Sequence, residues 1–286
     1  MLPAISPKNT LIAVFSYNMT RELDLCLQSI KDMCAGFDVV LIDDASEEPL
    51  THGIIQSHAD RLNEVFTLPP VKKNRTRGRL HENIQRMYEY ALSKGYRYLF
   101  MVQDDMQLLR PLNQRVLSEY DAIFSKGDHI IQIDPRFLRN LGAIDILPDI
   151  QAYCFAASDY RNSYADVGIL SLDRLVANDW KFEIGERELK IKAHERGLRR
   201  IFPFTPIMMH VPYPTIYRKG EKVQRQSLIP IHRGKYSYHY LSEREMSALD
   251  ARPLSAIPYT RKYLRPKGMG LAYLRYMFEN ENRVFS

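Results

Sequence analysis

Two apolar runs in this chain stop on paired acids. Asp38–Ile42 (DVVLI) runs into Asp43 and Asp44, and Tyr96–Val102 runs through Gln103 into Asp104 and Asp105. Runs this short and this apolar read as buried strands of a sheet covered on both faces. A third run, Thr10–Phe15 (TLIAVF), is stopped by the turn formers Ser16, Tyr17 and Asn18. Between the first two strands in chain order, Leu23, Cys26, Leu27, Ile30 and Cys34 recur at helical spacing. Thr20 is the expected N-cap, and Glu22 and Asp24 fall in the first turn, where the helix dipole favours acids. Strand, helix, strand in that order predicts a parallel crossover unit.

The alternation continues. Leu80, Ile84, Met87, Tyr88, Ala91 and Leu92 mark an amphipathic helix closed by Gly95, and a helix from about Asn113 to Phe124 leads to an apolar run over His129–Ile133. An α/β fold with an open, mostly parallel sheet follows, and such sheets bind ligands beyond the carboxyl ends of their strands. After Pro135 the pattern loosens through about Ala165, a stretch with no strand-by-strand reading and expected to cover the site. Leu189, Ile191, Ala193 and Leu198 then predict a helix over Glu186–Arg199 closed by Gly197. Beyond Pro212 the composition shifts to tyrosine, arginine and proline, as for an appended region.

A chain of 286 residues fits one large α/β domain or two smaller ones. Its 40 Lys and Arg against 34 Asp and Glu leave a net charge of +6, a tilt toward anionic partners short of a polybasic binder. Every apolar stretch is far below the roughly 20 residues of a membrane-spanning helix. Met1–Asn9 carries two prolines and a single lysine where a secretory signal needs a positive start and an apolar run. A cytoplasmic location is therefore expected. Cys26, Cys34 and Cys154 show no C-x-x-C spacing and read as buried thiols. The phosphate-binding signatures G-x-G-x-x-G and G-x-x-x-x-G-K-[ST] are absent, which disfavours a dinucleotide oxidoreductase and a P-loop NTPase. No nucleic-acid-binding motif is present either, so no nucleic-acid partner is expected.

Four carboxylates at one sheet edge need cations or donors. A hard divalent ion shared with substrate phosphates is one resolution; the other is that each pair caps the turn that follows its strand. Between the pairs lie Lys72, Lys73, Arg75, Arg77 and Arg79 with Asn74 and Gly78, just before a helix. That cluster suits a diphosphate, or else is a solvated loop.

The order strand, Ser16-Tyr17-Asn18, helix, strand, Asp43-Asp44-Ala45-Ser46, and later strand, Asp104-Asp105, resembles the family 2 glycosyltransferases, which have the GT-A nucleotide-sugar fold. The resemblance runs over roughly residues 10 to 212. In its third quarter that family shows Glu-Asp, then a leucine, an arginine and a glycine, and a histidine after one more strand. Here Gly185-Glu186-Arg187-Glu188-Leu189 leads to Lys192, Gly197 and His210. Two departures stand out: Gln103-Asp104-Asp105-Met106 in place of a strict Asp-x-Asp, and Gly185-Glu186 in place of Glu-Asp.

The resemblance implies a GT-A catalytic domain over residues 1–212, with a donor half at about 10–110, an acceptor half at about 130–212, and a C-terminal extension over 213–286. It implies a metal-dependent inverting transfer from a nucleotide-diphosphate sugar, UDP by family frequency, to a glycan or lipid-linked acceptor of cell-surface polysaccharide synthesis. Tyr17 would stack on or border the donor base, Asp44 would accept a hydrogen bond from it with Asp43 supporting the turn, and Asp104 would touch the ribose or back up the metal site; Arg77, from the basic cluster, is the donor-binding candidate there. Asp105 and His210 would hold Mn²⁺ or Mg²⁺, and Glu186 would be the general base, with Glu188 as the fallback. Read without the resemblance, Tyr17 is a half-buried aromatic, His210 a core histidine and Glu186 a surface acid. Asp166 and Trp180 in the acceptor half read as structural. From Tyr259 on, basic residues interleave with Tyr263, Leu264, Leu271, Tyr273, Leu274, Met277 and Phe278; they form a face for an anionic membrane or pack on the body. Two rivals remain. A nucleotidyltransferase would want a glycine- and arginine-rich loop near residues 15 to 25, and a non-catalytic binding scaffold is suggested by Gln103 and Gly185.

Overall fold

The computed structural model describes residues 4–70, 79–140, 142–156, 158–182, 185–218, 221–222 and 231–278. The first strand, β1 (Thr10–Ser16), is buried along its whole length. Helix α1 (Thr20–Met33) turns Leu23, Cys26, Leu27 and Ile30 inward and leads to β2 (Asp38–Asp43). The strands pair in parallel from Leu11 beside Asp38 to Ser16 beside Asp43, the crossover read from the sequence. Thr20 is not the N-cap. Met19 occupies that position, and the Thr20 hydroxyl instead lies 3.1 Å from Glu48 Oε2 and 2.9 Å from Thr51 Oγ1 on the next helix.

Then follow α2 (Pro49–Ser57), β3 (Glu64–Thr67), α3 (Leu80–Ser93), β4 (Tyr98–Gln103), β5 (Met106–Leu108), α4 (Gln114–Phe124), β6 (Ile130–Ile133), β7 (Ile144–Leu147), β8 (Ala152–Phe155), β9 (Gly168–Ser171), α5 (Leu172–Ala177), α6 (Glu186–Glu195), β10 (Arg199–Pro203) and β11 (Met208–His210). Nine strands form one sheet in the order β3-β2-β1-β4-β9-β6-β10-β8-β7. The β3-β2-β1-β4 block and the β6-β10 pair are parallel, while β9 and β8 run against their neighbours. The chain is thus α/β with a large, mostly parallel central sheet, as the alternation predicts.

Three further readings of the sequence change. The stretch between Pro135 and Ala165 is not all irregular: β7 and β8 form an antiparallel hairpin that extends the sheet past β10. Its outer strand has exposed Asp145 and Ile146, so no buried run announces it. Helix α6 ends at Glu195, and Arg199 opens β10 instead of closing the helix. Gly197 (φ +68°) makes the turn between them. The strand expected from Tyr96 begins at Tyr98, since Gly95 (φ +80°) and the backbone bond from Tyr96 N–H to the Ala91 carbonyl still belong to the end of α3.

The sheet is covered on both faces. Ile12, Val14, Leu41, Phe100 and Val102 pack on one side with α1 and α4, and Leu11, Ala13, Val40, Leu99 and Met101 on the other with α3. Burying each such side chain contributes about 1.5–3 kcal/mol. Trp180 is 2% exposed and packs against Tyr164 and Phe182, which makes it a core residue. The three cysteines are free and buried. Gly168, at the head of the reversed strand β9, has φ +118°, and a Cβ there would stand 2.5 Å from the Ile133 carbonyl oxygen. Only glycine lets β9 approach the end of β6 this closely.

Past His210 come β12 (Tyr217–Arg218), β13 (Glu221–Lys222), β14 (Ser237–Tyr238), α7 (Glu243–Asp250), α8 (Thr260–Tyr263), β15 (Pro266–Lys267) and α9 (Ala272–Phe278). This segment is tied to the sheet body by buried polar contacts. The Gln107 amide donates to the Tyr238 carbonyl at 3.0 Å and accepts from its N–H at 2.8 Å. Arg110 forks onto Asp250 at 2.7 and 3.0 Å. Glu22 serves more than the helix dipole: nearly fully buried, it accepts the Thr215 N–H at 2.8 Å. Among the described residues, no helix is long and apolar enough to cross a membrane.

Candidate active site

Register sets the geometry of the acidic edge. Ser16 is paired with Asp43 of β2, and Phe15 with Gln103 of β4, so Asp43 and Asp104 end up on either side of Ser16. The backbone bonds from Asp44 N–H to the Ser16 carbonyl and from Asp104 N–H to the Phe15 carbonyl continue both ladders past the strand ends. The loops beyond are locked together. Asn18 adopts φ +53°, its N–H donates to Ser46 Oγ, and its side-chain oxygen accepts the Glu47 and Glu48 N–H groups. Ala45 also lies at positive φ, +59°. Two non-glycine residues in that region, both in the loops that face the crevice, mark backbone held in place by its surroundings.

Each of the four aspartates already has a partner. Asp43, fully buried, accepts the Ser46 N–H at 2.8 Å and its hydroxyl at 2.5 Å, and so braces the β2–α2 turn. Asp44 holds Arg79, with Oδ1 2.5 Å from Nε and Oδ2 3.1 Å from the backbone N–H. Asp104 accepts the Tyr17 N–H at 2.8 Å, and burial, with the charge of Asp105 beside it, pushes its carboxyl well above the ordinary range. The Tyr17 ring is half-buried at the crevice, its hydroxyl pKa raised by burial and then by Glu47 and Asp44.

Asp105 faces the other way. The short antiparallel pair β5–β11 sets His210 opposite Met106, and the Val211 N–H bonds the Asp105 carbonyl, which brings the two side chains together across 105 residues of sequence. His210 Nδ1 lies 3.1 Å from Asp105 Oδ1, and Arg136 Nη1 lies 3.0 Å from His210 Nε2. Burial lowers the imidazole pKa, helped by Arg139 and Arg136 and opposed by Asp105. A neutral ring with its proton on Nδ1 satisfies both contacts: it donates to the carboxylate and accepts from the guanidinium. Burial raises the Asp105 carboxyl, but His210 and the arginines outweigh that and hold it below the usual range.

Behind Arg136 stands Asp134, fully buried, just past the end of β6. It accepts from Arg136 Nε at 2.8 Å and Nη2 at 2.5 Å, and from Arg200 Nη1 at 2.8 Å. One carboxylate thus carries two guanidiniums. These arginines border a cavity of about 350 Å³ whose wall also includes Gln103, His210, Asp166, Glu186 and Lys190. A smaller cavity of about 190 Å³, between Leu27 and Arg61, lies apart from these residues.

Glu186 opens α6, its side chain 43% exposed, with Oε1 2.8 Å from Lys190 Nζ. Burial works to raise its carboxyl pKa, but Lys190, Arg136 and Arg200 lower it, so the group is ionised at neutral pH and engaged by Lys190. Asp166, nearly fully buried, lies 3.1 Å from His81 Nε2, and this carboxylate overcomes the effect of burial to raise the His81 pKa.

The structure therefore gathers Tyr17, Asp43, Asp44, Asp104, Asp105, His210 and Glu186 around the carboxyl edge of the sheet in two clusters. The first four crowd the β1 and β2 loops; His210 and Glu186 share the cavity, with Asp105 beside His210. Arg77 and the lysines before it lie outside the described residues, and of that basic cluster only Arg79 is described. Sequence reading missed Asp134, Arg136, Arg200 and His81. Asp134 had the same signal as Asp43, an acid directly after an apolar run; the arginines had none, because their meeting depends on the pairing of β6 with β10.

A hard divalent cation asks for oxygen ligands and accepts imidazole. Asp105 supplies a carboxylate and His210 an imidazole beside it, but the ring gives Nδ1 to Asp105 and Nε2 to Arg136, so a Mn²⁺ or Mg²⁺ held by both would have to displace one of these contacts and take its other ligands from substrate and water. A ligand at Nε2 would replace Arg136 there. Among the described residues, no group of three or more His, Cys, Asp or Glu side chains is placed to hold a metal ion.

No protein-family model and no curated protein sequence matches the chain. Among solved structures it is similar to S. aureus TarS 1-349, at 17% identity and TM-score 0.44, over 68% of this chain and 57% of that one. The same TarS segment in complex with UDP gives 17% identity and TM-score 0.46, with the same coverage. The mannosyltransferase PcManGT from Pyrobaculum calidifontis, in complex with GDP-Man and Mn²⁺, gives 13% identity and TM-score 0.43, over 68% of this chain and 54% of that one. These neighbours are glycosyltransferases of the GT-A type. The chain spans little more than half the length of each.

Proposed function

We propose that this chain is an inverting glycosyltransferase that moves a sugar from a nucleotide-diphosphate donor, a UDP-sugar, to a glycan or lipid-linked acceptor in cell-surface polysaccharide synthesis. One observation carries the reading: a single cavity beyond the sheet edge is bordered by His210, whose partner is Asp105, and by the ionised carboxylate Glu186. Such a site offers a hold for a diphosphate on one side and a proton acceptor on the other.

In this reading Glu186 takes the proton of the acceptor hydroxyl as its oxygen attacks the anomeric carbon, and the bond to the diphosphate breaks on the opposite face. Tyr17 borders the base and Asp44 accepts its hydrogen bond, while Asp43 and Asp104 keep the loops in place, Asp104 also reaching the ribose. Arg77 meets the diphosphate. Asp105 and His210 hold Mn²⁺ or Mg²⁺, which when bound neutralises charge on the departing diphosphate. Residues 1–212 form the catalytic domain, with the donor bound by about 10–110 and the acceptor by about 130–212, and residues 213–286 are its extension. The protein works in the cytoplasm at the inner face of the membrane, reached through the extension, where Leu271, Leu274 and Phe278 are exposed.

A thermal-shift panel of UDP, GDP, CMP, dTDP and ADP, each with and without Mn²⁺, tests the reading on the wild type and Asp105→Ala. Ligand at a hundred times its dissociation constant adds about 2.7 kcal/mol of apparent stability. The expected result is a metal-dependent shift with one nucleotide, lost in the variant. A folded wild type that shifts with no nucleotide would refute the transferase and favour a binding scaffold.

A further inference from the structure

His210 answers to two neighbours at once. Its Nδ1 lies 3.1 Å from Asp105 Oδ1, and its Nε2 lies 3.0 Å from Arg136 Nη1. A carboxylate only accepts and a guanidinium only donates, so a neutral ring meets both in one tautomer, with its proton on Nδ1 and its one in-plane lone pair on Nε2. Arg136 is fixed at both ends. Its backbone bridges to Met208, on the strand that carries His210, and Asp134 accepts from its Nε at 2.8 Å and its Nη2 at 2.5 Å.

A divalent cation takes an imidazole through a lone pair, and a neutral ring has one to give. At Nε2 the cation and the Arg136 guanidinium contend for the same lone pair. At Nδ1 the cation displaces the proton, which moves to Nε2 and turns an N–H toward a guanidinium that can only donate. Both routes require Arg136 to leave Nε2. Charge acts in the same direction, since a guanidinium beside a buried ring repels a second cation with little screening. Asp134 is thus more than a counter-ion: by keeping two of the guanidinium nitrogens it keeps the third on His210.

We propose that Arg136 sets the divalent-cation affinity of the Asp105–His210 pair, as a competitor built into the chain and seated on His210 Nε2 by Asp134. The inference rests on the reading of that pair as the metal holders. Arg136 acts through His210 and is a positioning residue. Removing its guanidinium leaves the ring lone pair to the cation and tightens cation binding, and this holds with no nucleotide present.

The probe is Mn²⁺ alone. Free Mn²⁺ is counted by electron paramagnetic resonance as it is titrated into the nucleotide-free wild type, Arg136→Met and Arg139→Met. Methionine keeps an unbranched side chain and loses every donor, while Arg139→Met removes the other guanidinium whose charge acts on His210 and so controls for charge alone. The expected dissociation constant in Arg136→Met is roughly tenfold or more below that of the wild type, the worth of one hydrogen bond to a charged group, with Arg139→Met close to the wild type. An unchanged or higher constant in Arg136→Met, equal tightening in Arg139→Met, or no Mn²⁺ binding by any of the three overturns the proposal. A second measurement leaves Arg136 in place and so does not depend on how the variant folds. Long-range ¹⁵N NMR of histidine-labelled wild type, with His210 assigned from His210→Gln, should show the Nδ1–H tautomer; an Nε2–H or doubly protonated ring overturns the proposal as well. The transferase is judged apart from this. Tighter Mn²⁺ in Arg136→Met with no nucleotide shift in the thermal panel keeps the competitor and discards the transferase, and a metal-dependent nucleotide shift with unchanged Mn²⁺ affinity does the reverse.

Discussion

Replacing Asp134 with asparagine tests the electrostatic logic of the site at its most buried point. The wild-type carboxylate is fully buried and takes three side-chain hydrogen bonds from two guanidiniums, at 2.5 to 2.8 Å. Asparagine keeps the shape but removes the charge and turns an amide N–H₂ toward a guanidinium donor. Two buried cations then lose the carboxylate bonded to them, a change that costs about 3–5 kcal/mol. In a chain of this length, at about 2 °C per kcal/mol, the melting temperature falls by about 6–10 °C. The matched control is Asp159→Asn at the Arg161 pair, where the side chains are 20% and 41% exposed and solvent screening limits the loss to about 1 kcal/mol or less.

Reversible urea unfolding of the three proteins is the assay, repeated down to pH 3. The pH arm has a definite sign. Both arginines lower the Asp134 pKa against the effect of burial, so its stabilisation is fully present above the unfolded value of about 3.9 and is lost as pH falls through the lower folded value. The gap between wild type and Asp134→Asn should therefore close only in strong acid. A loss under about 1 kcal/mol at neutral pH, or equal losses in the two variants, would refute the idea that one carboxylate holds two guanidiniums against desolvation.

Two further outcomes are expected. Glu186→Gln should lower kcat by about 10²- to 10⁴-fold and leave the nucleotide thermal shift intact, since general-base catalysis supplies that much and the group does not hold the donor; unchanged turnover would move the role to Glu188 or Asp166. Leu274→Ser/Phe278→Ser should reduce flotation with vesicles containing anionic lipid, because those side chains are 55% and 87% exposed on the helix that carries Arg275; equal flotation would sink the membrane contact.

Much of the acidic edge of the sheet could be read from the chain as written. The runs Thr10–Phe15, Asp38–Ile42 and Tyr98–Val102 are apolar on both faces, and a segment with no solvated face has few places to go but the middle of a covered sheet. Their abrupt ends put Asp43 beside Ser16 and Gln103 beside Phe15, because strands paired in parallel along their whole length end at nearly one height. The hairpin of β7 and β8 escaped notice because an edge strand buries only one side. The head of β9 escaped notice because its place is set by a glycine contact with the Ile133 carbonyl and not by any periodicity.

Side-chain partnerships divide along the same line. Local bonds such as Asp43 with Ser46 span three residues and follow from turn chemistry that the sequence itself dictates. By itself the chain determined the alternation of strands and helices, the burial of the central strands and the position of acids at their ends, since these depend on neighbours within a turn or a pleat. Only the tertiary structure decided that Asp105 meets His210, that Asp134 is shared by Arg136 and Arg200, and that these cations share a cavity with Glu186. The meetings of Asp105 with His210 and of Asp134 with Arg200 span 105 and 66 residues and depend on which strands pair and in what register, and that choice is made by the packing of the whole sheet.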